Sequence, residues 1–582
     1  MASQSGNVTL SPSYAAVGLA QTVHFTAAAP SSETLQWSVN GMAGGNASVG
    51  TIDSSGNYHA PVGLSLGVNA VITAADASAA QTNYATAVVT VLTPQMIASS
   101  ANPQVASYSI YLPSPGTVTI NFGPDTNYGL STWAQPTPTP YGGEVTVYVA
   151  GMRANTLYHL QPLIALDNGA SFTGPDSTFT TGTPPGTSAI VASAQNGQLP
   201  QSGIELFDTL LPHEQAQAFA TDLEGNIIWT YTYPGGSVYD AVQPIQVLPN
   251  GHFLVLISYA SSAPLHGSTI PSGTIDALRE VDLAGNTIRE FTIDQLATAL
   301  AAKGYSYNLG SFHHDVMALP NGHWIALVSL YQLFTNLPGY PGTTNVLGDL
   351  IVDIDPDGQV AWVWNTFDHL DINRHPYLFP DWTHSNALLY STDDHDLLLS
   401  MRHQSWILKI DYADGQGSGK ILWRLGEGGD FTLQNGVDPT DWFYAQHGPS
   451  FFTQNTSGVF RLGVMDNGDD RVFPDGSRCG TIGMPACYSA ASVYQIDETS
   501  MIATLVSQYK LDPSLYSYFG GNVQLLSNGD VQADFCASPG GSIVQELNLN
   551  GSTPQLVWQA GTKGASQYRA LRLPSLYPGV QW

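Results

Sequence analysis

Three histidines in the second half of the chain occupy equivalent places in strand-like segments. His314 begins HDVMALPNG, His384 begins HSNALLYSTDD and His447 begins HGPSFF. Asn386 lies two residues after His384, on the same strand face, and Arg402 lies in the next strand, LLLSMRHQ. A neutral imidazole is a nucleophile, whereas guanidinium and amide groups donate hydrogen bonds to oxyanions. These five residues predict a site for a group whose charge is spread over several oxygens.

The same residues also raise the question of metal or cofactor binding. Three histidines can hold zinc, but the neighbouring Arg402 would repel the cation, so no metal is predicted. The DNGDD run at 466–470 lacks the spaced carboxylates and terminal Glu of a calcium loop, which favours a tight turn. No G-x-x-x-x-G-K-S/T loop, no G-x-G-x-x-G after a strand and no G-x-S-x-G elbow occurs, so no cofactor is predicted.

The remaining histidines compete less well for a functional role. His313 competes with His314, and only the register of the repeat favours His314. His323, His395 and His403 lack that register or fall in turns, so they are predicted to be structural. The three chosen imidazoles meet on one axis only if the fold brings their strands together.

The elements that would do this are repeated strand pairs. An apolar strand, an Asp, a short turn and an apolar strand often ending in Trp recur as ATDLEGNIIWTY, EVDLAGNTIREF, IVDIDPDGQVAWVW, KIDYADGQGSGKILWRL, YQIDETSMIATLV and QELNLNGSTPQLVW. Hairpins such as PIQVLPNGHFLVLIS accompany most of them. Two hairpins make a four-stranded blade, so the repeats predict a six-bladed β-propeller over 186–582. FTIDQLATALAAKG (291–304) predicts an inserted helix.

Two small β-sandwich modules are predicted ahead of the propeller. Residues 1–95 resemble a bacterial immunoglobulin-like domain, with Trp37 filling the core between two sheets. Residues 96–185 resemble a fibronectin type III domain, in which Tyr158 would be the corner tyrosine whose hydroxyl ties down a loop. TTGTPPGTS (180–188) is typical of a linker. The predicted fold class is therefore all-β.

Composition restricts the partners and the location. With 16 Lys and Arg against 45 Asp and Glu, the net charge is −29, which disfavours nucleic acids and anionic membranes. No stretch approaches the roughly 20 apolar residues of a membrane span. The N-terminus lacks the pattern of a signal peptide, so the protein is either cytoplasmic or a trimmed mature form. Scarce Lys and modules rich in Thr, Ser and Asn favour the second, a periplasmic or secreted protein.

Three cysteines leave one disulfide to be expected. Cys479 and Cys487 bracket a loop with Gly and Pro, CGTIGMPAC, a spacing that can close a disulfide. Cys536 lies in an apolar, strand-like run. The alternative is three unpaired thiols.

Several motifs together resemble the bacterial arylsulfotransferases that do not use a nucleotide sulfate donor. They are HHDVMALPNG, WNTFDHL, DWTHSNALLYSTDDHDLLLSMRH, ILWRLG, QHGPSFF, GVMDNGDDR, GNVQLLSNGD and YRALRLPSLYP, in the family's order. The resemblance implies transfer of a sulfuryl group from a phenolic sulfate ester to a phenolic acceptor, by a ping-pong mechanism through a covalent sulfohistidine. It also implies small-molecule partners and a disulfide, for which Cys479 and Cys487 are the candidates; a homodimer is left open.

The resemblance assigns roles to the residues that match its motifs. His447 of QHGP would be the nucleophile. His314, His384, Asn386 and Arg402 would bind the sulfuryl oxygens, and one histidine would handle the phenol proton. Two alternatives stay open: an aryl sulfate hydrolase in which water takes the sulfuryl group, and a non-catalytic surface propeller used for adhesion.

Overall fold

In a computed structural model the chain forms two compact units. One comprises Met1–Thr183 together with Trp582, and the other comprises Pro184–Gln581. The structure describes residues 4–5, 7–29, 34–77, 83–187, 190–195, 197–209, 217–233, 240–259, 275–551 and 553–582. Within these ranges, every helix is too short or too polar to cross a membrane.

The first unit is built of short strands around two hydrophobic cores. One core draws on residues between Val8 and Val91, and the other on residues between Leu92 and Phe179. The strands are Gln4–Ser5, Thr9–Ser11, Tyr14–Gly18, Thr22–His24, Thr26–Ala28, Leu35–Val39, Met42–Ala43, Gly45–Asn46, Gly50–Ile52, Asn57–His59, Val68–Asp76, Tyr84–Leu92, Met96–Ser99, Ala106–Leu112, Gly116–Gly123, Leu130–Ser131, Gln135–Pro136, Gly143–Val149, Leu157–Leu166, Ser171–Thr173 and Ser177–Thr180.

Aromatic residues stabilise both cores of this unit. Tyr158 is buried, and its hydroxyl accepts a 3.0 Å hydrogen bond from the backbone N–H of Arg153, as predicted for a tyrosine that ties down a loop. Trp37 packs against the first core but is only partly buried. Trp582 packs edge-on against Phe122, with ring centroids 5.8 Å apart.

The described part of the second unit contains six sheets of four principal antiparallel strands, named A to F. Sheet A consists of Ile204–Asp208, Ala218–Thr221, Ile227–Tyr231 and Ala570–Leu573; sheet B of Asp240–Val247, Phe253–Tyr259, Ala277–Val281 and Thr287–Thr292; sheet C of Asn308–Ala318, Trp324–Leu337, Tyr340–Ile354 and Val360–Asn365; sheet D of Ser385–Tyr390, Leu397–Met401, Trp406–Ile410 and Ile421–Leu425; sheet E of His447–Thr456, Val459–Asp466, Ala490–Asp497 and Ile502–Lys510; and sheet F of Val523–Leu525, Val531–Phe535, Ile543–Asn548 and Gln555–Thr562. Thr432–Gln434 adds a strand to sheet E, and Ile190–Ala194 adds one to sheet F.

The two ends of this unit interlock. The last strand, Ala570–Leu573, pairs with Ile204–Asp208 of sheet A, while the early strand Ile190–Ala194 pairs with sheet F. Between them, the first strands of sheets B to F contact one another in succession. The predicted all-β fold class is confirmed, and no sheet of the described ranges closes into a barrel.

The tryptophan that ends several repeats connects one sheet to the next. Each of three buried indoles donates its N–H to a backbone carbonyl in a turn of the following sheet, where it would otherwise lack a partner. The donor and acceptor pairs are Trp229 with Leu283, from sheet A to B, at 2.8 Å, Trp364 with Gly419, from C to D, at 2.8 Å, and Trp558 with Leu223, from F to A, at 2.9 Å. The repeat therefore encodes the contacts between sheets as well as the strands.

The turn of the repeat is formed by its Asp. In 222–226, Asp222 Oδ1 accepts a 2.8 Å hydrogen bond from the backbone N–H of Asn226, and Gly225 takes a φ of +88°. Asp accepts backbone bonds of this kind in turns, and only glycine adopts that φ without strain. Residues 282–286 repeat the arrangement.

One longer helix interrupts the strands, as predicted. It spans Ile293–Ala302 and begins with a capping box between Thr292 and Gln295. Its buried face, with Leu296 and Leu300, packs into the core formed by sheets B and C. The short helices are Thr366–His369 and the 3₁₀ helices Arg402–Gln404, Ala413–Gly415 and Pro513–Leu515.

A buried ion network joins the last strand, Ala570–Leu573, to its neighbour in sheet A and to sheet F. Arg572 donates from Nε to Glu205 at 2.8 Å and from Nη1 to Glu546 at 2.9 Å, and all three side chains are at most 2% exposed. Removing the cation would leave two carboxylates in the interior without a counter-ion, which is strongly unfavourable.

We therefore expect Arg572→Leu to lower the free energy of unfolding by about 3–5 kcal/mol. The matched control is Arg424→Leu, because Arg424 is 34% exposed and pairs with Asp430 at the surface. Its loss should cost no more than about 1 kcal/mol. Urea unfolding followed by tryptophan fluorescence measures both, and equal effects of the two substitutions would contradict the role given to the buried network.

Candidate active site

The three predicted histidines lie in or directly before the first strands of sheets C, D and E. His314 lies where the pairing of Asn308–Ala318 is interrupted, His384 precedes Ser385–Tyr390, and His447 begins its strand. His314 and His384 take φ values of +56° and +49°, an uncommon conformation for residues with a Cβ that costs about 1–3 kcal/mol. The backbone is therefore bent at both positions.

The imidazoles gather around a tyrosine from the end of the chain. The ring of His314 lies 4.7 Å from that of His384 and 5.7 Å from that of Tyr568, and the His447 ring lies 6.1 Å from Tyr568. Tyr568 is buried, and its hydroxyl donates to Asn386 O at 3.2 Å. Residues far apart in sequence thus form one cluster.

His447 is buried, and its Nδ1 is the ring nitrogen that makes hydrogen bonds to the protein. Its Nδ1 lies 2.7 Å from Asn467 Oδ1 and 3.2 Å from Ala445 O. Burial, and then the charge of Arg402, hold the pKa of His447 well below 6.5, so the imidazole is neutral. Gly448 follows with a φ of +39°, and a Cβ there would lie 2.5 Å from Gly521 O. The His-Gly pair is therefore fixed by the backbone.

His313 and His314 face different partners. His313 Nε2 lies 3.3 Å from Asp349 Oδ1, while the Nδ1 atoms of the two histidines are 2.8 Å apart. Burial, followed by His384 and the other cationic neighbours, lowers the pKa of His314 well below 6.5. Burial opposes ionisation of Asp349, but His313 and a hydrogen bond from Thr383 hold its pKa below the usual value. His314 is the member of the pair whose ring packs on His384 and Tyr568.

His384 is paired with a carboxylate. Its Nδ1–H donates to Asp381 Oδ2 at 2.5 Å, and its ring packs on His403, with centroids 4.6 Å apart. Burial works against the charge of Asp381, yet the neighbouring His384 outweighs it and the pKa of Asp381 is lowered. His403, predicted to be structural, thus lies inside the cluster, and burial lowers its pKa to about 4.

Asp381, His384 and His403 form the kind of group that can hold a metal ion, since their ligand atoms lie within 4.8 Å of one another. Their donor atoms are already engaged, however: His403 Nδ1–H donates to Asp381 O at 2.8 Å, and Arg402 Nη1 donates to His403 Nε2 at 2.6 Å. A guanidinium at that distance repels a cation. The residues therefore fit a metal poorly.

Arg402 is fixed in place by sheet E and the loop that follows it. Its Nη2 donates to Asp469 Oδ2 at 2.7 Å and to Tyr518 O at 3.2 Å. Tyr516 donates to the other oxygen of Asp469. Burial raises the pKa of Asp469 to about 6, although Arg402 favours its charged form. Nε of Arg402 is buried and has no hydrogen-bond partner among the described residues.

Asn386 is fully buried beside His447 rather than open to a ligand. Its Nδ2 donates to Gln446 O at 2.6 Å, and its Oδ1 has no partner in the described ranges. Gln446 in turn donates to Trp406 O at 2.9 Å. Asn386 therefore holds the residue before His447, and its predicted contact with substrate oxygens stays a prediction.

The 466–471 loop contains the DNGDD run at 466–470, which was predicted to form a tight turn, and its side chains also contact residues of the cluster. Gly468 and Asp470 take positive φ values, as in a turn. Asn467 reaches His447, Asp469 reaches Arg402, and the fully buried Arg471 pairs with Asp466 at 2.7 Å. The polar residues inside the GVMDNGDDR motif were the signal for these contacts.

Arg569 is a second cation that the pattern of histidines does not reveal. It makes two 3.1 Å hydrogen bonds to Asp315, the residue after His314, and donates to Asn386 O at 3.0 Å. Burial opposes its charge, but Asp315 raises the pKa of the guanidinium, so it stays cationic. The signal here was YRALRLP, a motif with an arginine next to an aromatic residue.

A cavity of about 620 Å³ lies next to the segment that contacts Asp469 and Arg402, although no histidine or arginine of the cluster lines it in the described part of the chain. Tyr516 and Tyr518 line it, and these two contact Asp469 and Arg402. Ser566, two residues before Tyr568, lines the cavity too.

The Cys479–Cys487 disulfide is present, as predicted, while Cys536 is a buried free thiol. The bridge lies just beyond the 466–471 loop. The backbone N–H of Cys479 donates to Arg471 O at 2.9 Å, which ties the bridged segment to the loop that carries Asn467.

The fold and the cluster define an all-β protein in which buried imidazoles and guanidinium groups from several sheets lie together. Residues 191–569 match the family model described as Arylsulfotransferase (ASST), and the chain belongs to that family. The resemblance seen in its motifs is thereby confirmed, and the family supports aryl sulfotransferase activity in general.

Other comparisons add little. No curated protein matches the chain. Among solved structures, a member of the DUF4221 family from Bacteroides vulgatus is 9% identical, with a TM-score of 0.25, over 67% of this chain and 98% of that one. A Glu150Gln mutant of Synechocystis apocarotenoid oxygenase is 10% identical, with a TM-score of 0.27, over 82% of this chain and 94% of that one. Neither likeness carries an argument about function.

We expect Cys479→Ala combined with Cys487→Ala to lower the free energy of unfolding by about 2–3 kcal/mol, because the bridge closes a short loop and constrains the unfolded chain. Reducing agent should destabilise the wild-type protein and leave the double variant unchanged. Thermal unfolding with and without the reductant measures this, and Cys536→Ala serves as the control that keeps the bridge. The prediction would be contradicted if the reductant lowered the stability of the double variant as much as that of the wild type.

Proposed function

We propose that the protein is an aryl sulfate:phenol sulfotransferase that works by a ping-pong mechanism. In the first half-reaction, an imidazole nitrogen of His447 attacks the sulfur of a phenolic sulfate ester. A nitrogen–sulfur bond forms, the bond from sulfur to the phenolic oxygen breaks, and the phenolate leaves. A phenolic acceptor then takes the sulfuryl group by the reverse steps, which restores the neutral imidazole.

The observation that carries this proposal is the neutral, buried imidazole of His447 beside cationic groups. A protonated imidazole has no lone pair for attack, and the depressed pKa keeps the ring neutral. Arg402 and Arg569, both held by carboxylates, supply positive charge in a protein whose net charge is −29. Sulfuryl transfer resembles phosphoryl transfer, in which positioning and charge stabilisation provide most of the catalysis.

The other predicted residues take the remaining roles in the proposal. His314, His384 and Arg402 bind the sulfuryl oxygens, and His384, paired with Asp381, is suited to carry the phenol proton. Asn386 supports the segment before His447. The cavity lined by Tyr516 and Tyr518 would receive the phenolic ring.

We further propose that the second unit is a six-bladed propeller and that the first contains the immunoglobulin-like and fibronectin-like modules. Supporting the propeller are the six successive sheets and the hydrogen bond from Trp558 of sheet F back to Leu223 of sheet A. Supporting the two modules are the two separate cores of the first unit. The disulfide supports a periplasmic or secreted location, where such bonds persist.

The direct test is incubation with 4-nitrophenyl sulfate, with and without phenol and with no nucleotide. We expect release of 4-nitrophenol that depends on phenol, and a single added sulfuryl group on the intact protein when phenol is left out. His447→Ala should abolish both signals. His395→Ala is the matched control, since His395 is about half exposed and pairs with Asp414 at the surface. Equal release of 4-nitrophenol with and without phenol would indicate hydrolysis. Release by His447→Ala at the wild-type rate would contradict the mechanism.

The depressed pKa of His447 gives a prediction for the pH profile. A lowered pKa means that the imidazole stays neutral as the pH falls, so the second-order rate constant for 4-nitrophenol release should show no decline at the ordinary imidazole value of about 6.5. It should decline only at lower pH, as the ring becomes protonated. Stopped-flow measurement of the first turnover reports this step, and an acid limb centred at or above pH 6.5 would contradict it.

A further inference from the structure

Asn467 faces His447 with its amide oxygen, which can only accept a hydrogen bond. The amide nitrogen of Asn467 donates to Ser517 O at 2.9 Å and to Gly520 O at 3.1 Å. Two carbonyls can only accept, so the amide is held with its nitrogen towards them and its oxygen towards His447. That oxygen lies 2.7 Å from His447 Nδ1.

The second neighbour of His447 Nδ1 is also an acceptor. The carbonyl of Ala445 lies 3.2 Å away. With two acceptors and no donor at Nδ1, that nitrogen carries the proton, and Nε2 of the neutral ring carries the lone pair. The carbonyls of Ser517 and Gly520 belong to the segment between sheets E and F, so the orientation is fixed by backbone atoms.

We infer that Asn467 is a positioning residue that fixes the tautomer of His447 and makes Nε2 the nucleophilic atom. The inference rests on the proposed function for the identity of the transferred group, but the tautomer itself does not depend on it. In the transfer step the new bond joins Nε2 to sulfur, the proton stays on Nδ1, and Asn467 Oδ1 accepts from the cationic sulfated ring.

Charge explains why an amide, rather than a carboxylate, contacts His447. His384 contacts the charged carboxylate of Asp381, whereas the amide of Asn467, which contacts His447, carries no charge. An amide can therefore hold the ring without making it basic. A carboxylate at this position would favour the protonated, unreactive form of His447.

Two substitutions separate these effects. Asn467→Leu removes the acceptor, frees the ring to rotate and change tautomer, and should lower the first-turnover rate constant about 100-fold with little change in the apparent affinity for 4-nitrophenyl sulfate. Asn467→Asp keeps the acceptor but adds charge, so the acid limb of the pH profile should move to higher pH by about one unit or more. Asn455→Leu is the control, because Asn455 is buried in the strand that begins with His447 and lies near the opposite end of that strand.

A second readout does not need activity. Nuclear magnetic resonance of protein labelled in the histidine ring nitrogens, with the His447 signals assigned from His447→Ala, reports which nitrogen bears the proton. We expect Nδ1–H in the wild type and a loss of that preference in Asn467→Leu. A wild-type ring protonated on Nε2, or an Asn467→Leu variant with unchanged tautomer and rate, would overturn the inference.

The two proposals fail in different ways. If the wild type transfers no sulfuryl group yet shows Nδ1–H on His447 that depends on Asn467, the proposed function is wrong and the role of Asn467 stands. If Asn467→Leu does not fold, the wild-type tautomer and the pH profile of Asn467→Asp still decide the question.

Discussion

The site depends on one ion pair, between Arg569 and Asp315. Arg569 stands just before the last strand of sheet A, and Asp315 stands beside His314 in sheet C. Asp315 also accepts a 2.7 Å bond from the backbone of Leu388 in sheet D, and Arg569 donates to Asn386 O in the same strand. Three sheets are thereby tied at the point where Tyr568, His314 and His384 meet. Without this pair two charges would be buried alone, and the histidine-bearing strands would lose a common anchor.

Around that anchor, each cationic or basic group has a partner suited to its task. Carboxylates contact Arg402, His384 and His313. An amide holds His447, which must stay neutral to react. The acidic excess of the protein therefore serves the site as well as the surface, because several of its carboxylates fix cations that an anionic group needs.

Much of this could be predicted from the sequence, because repeats and strand alternation are local patterns. The all-β class, the helix at Ile293–Ala302, the disulfide and the convergence of three histidines all followed from spacing and register. The hydrogen-bond partners of the histidines could not be predicted in this way, because most of them lie in other parts of the fold. Asp381 lies only three residues from His384, yet nothing in DWTH shows that its side chain turns back to the imidazole.

The buried state of a polar group was equally hard to predict. The sequence places Asn386 on the strand face of His384, but it does not show that the amide nitrogen of Asn386 donates to Gln446 O, a bond that depends on how sheets D and E pack. His403 has no place in the repeat register, yet the 3₁₀ turn at Arg402–Gln404 brings its ring against His384. Such contacts depend on tertiary packing, which propensity and spacing do not encode.

The pairing of the last strand with sheet A also has a consequence during synthesis. A ribosome delivers Ile204–Asp208 long before Ala570–Leu573, so the nascent chain holds an unpaired strand edge for most of its translation. Tyr568 and Arg569 emerge last of all the residues in the cluster. A chain that stops short of them carries His314, His384 and His447 but lacks the Tyr568 ring on which two of these imidazoles pack and the Arg569–Asp315 ion pair that ties their strands.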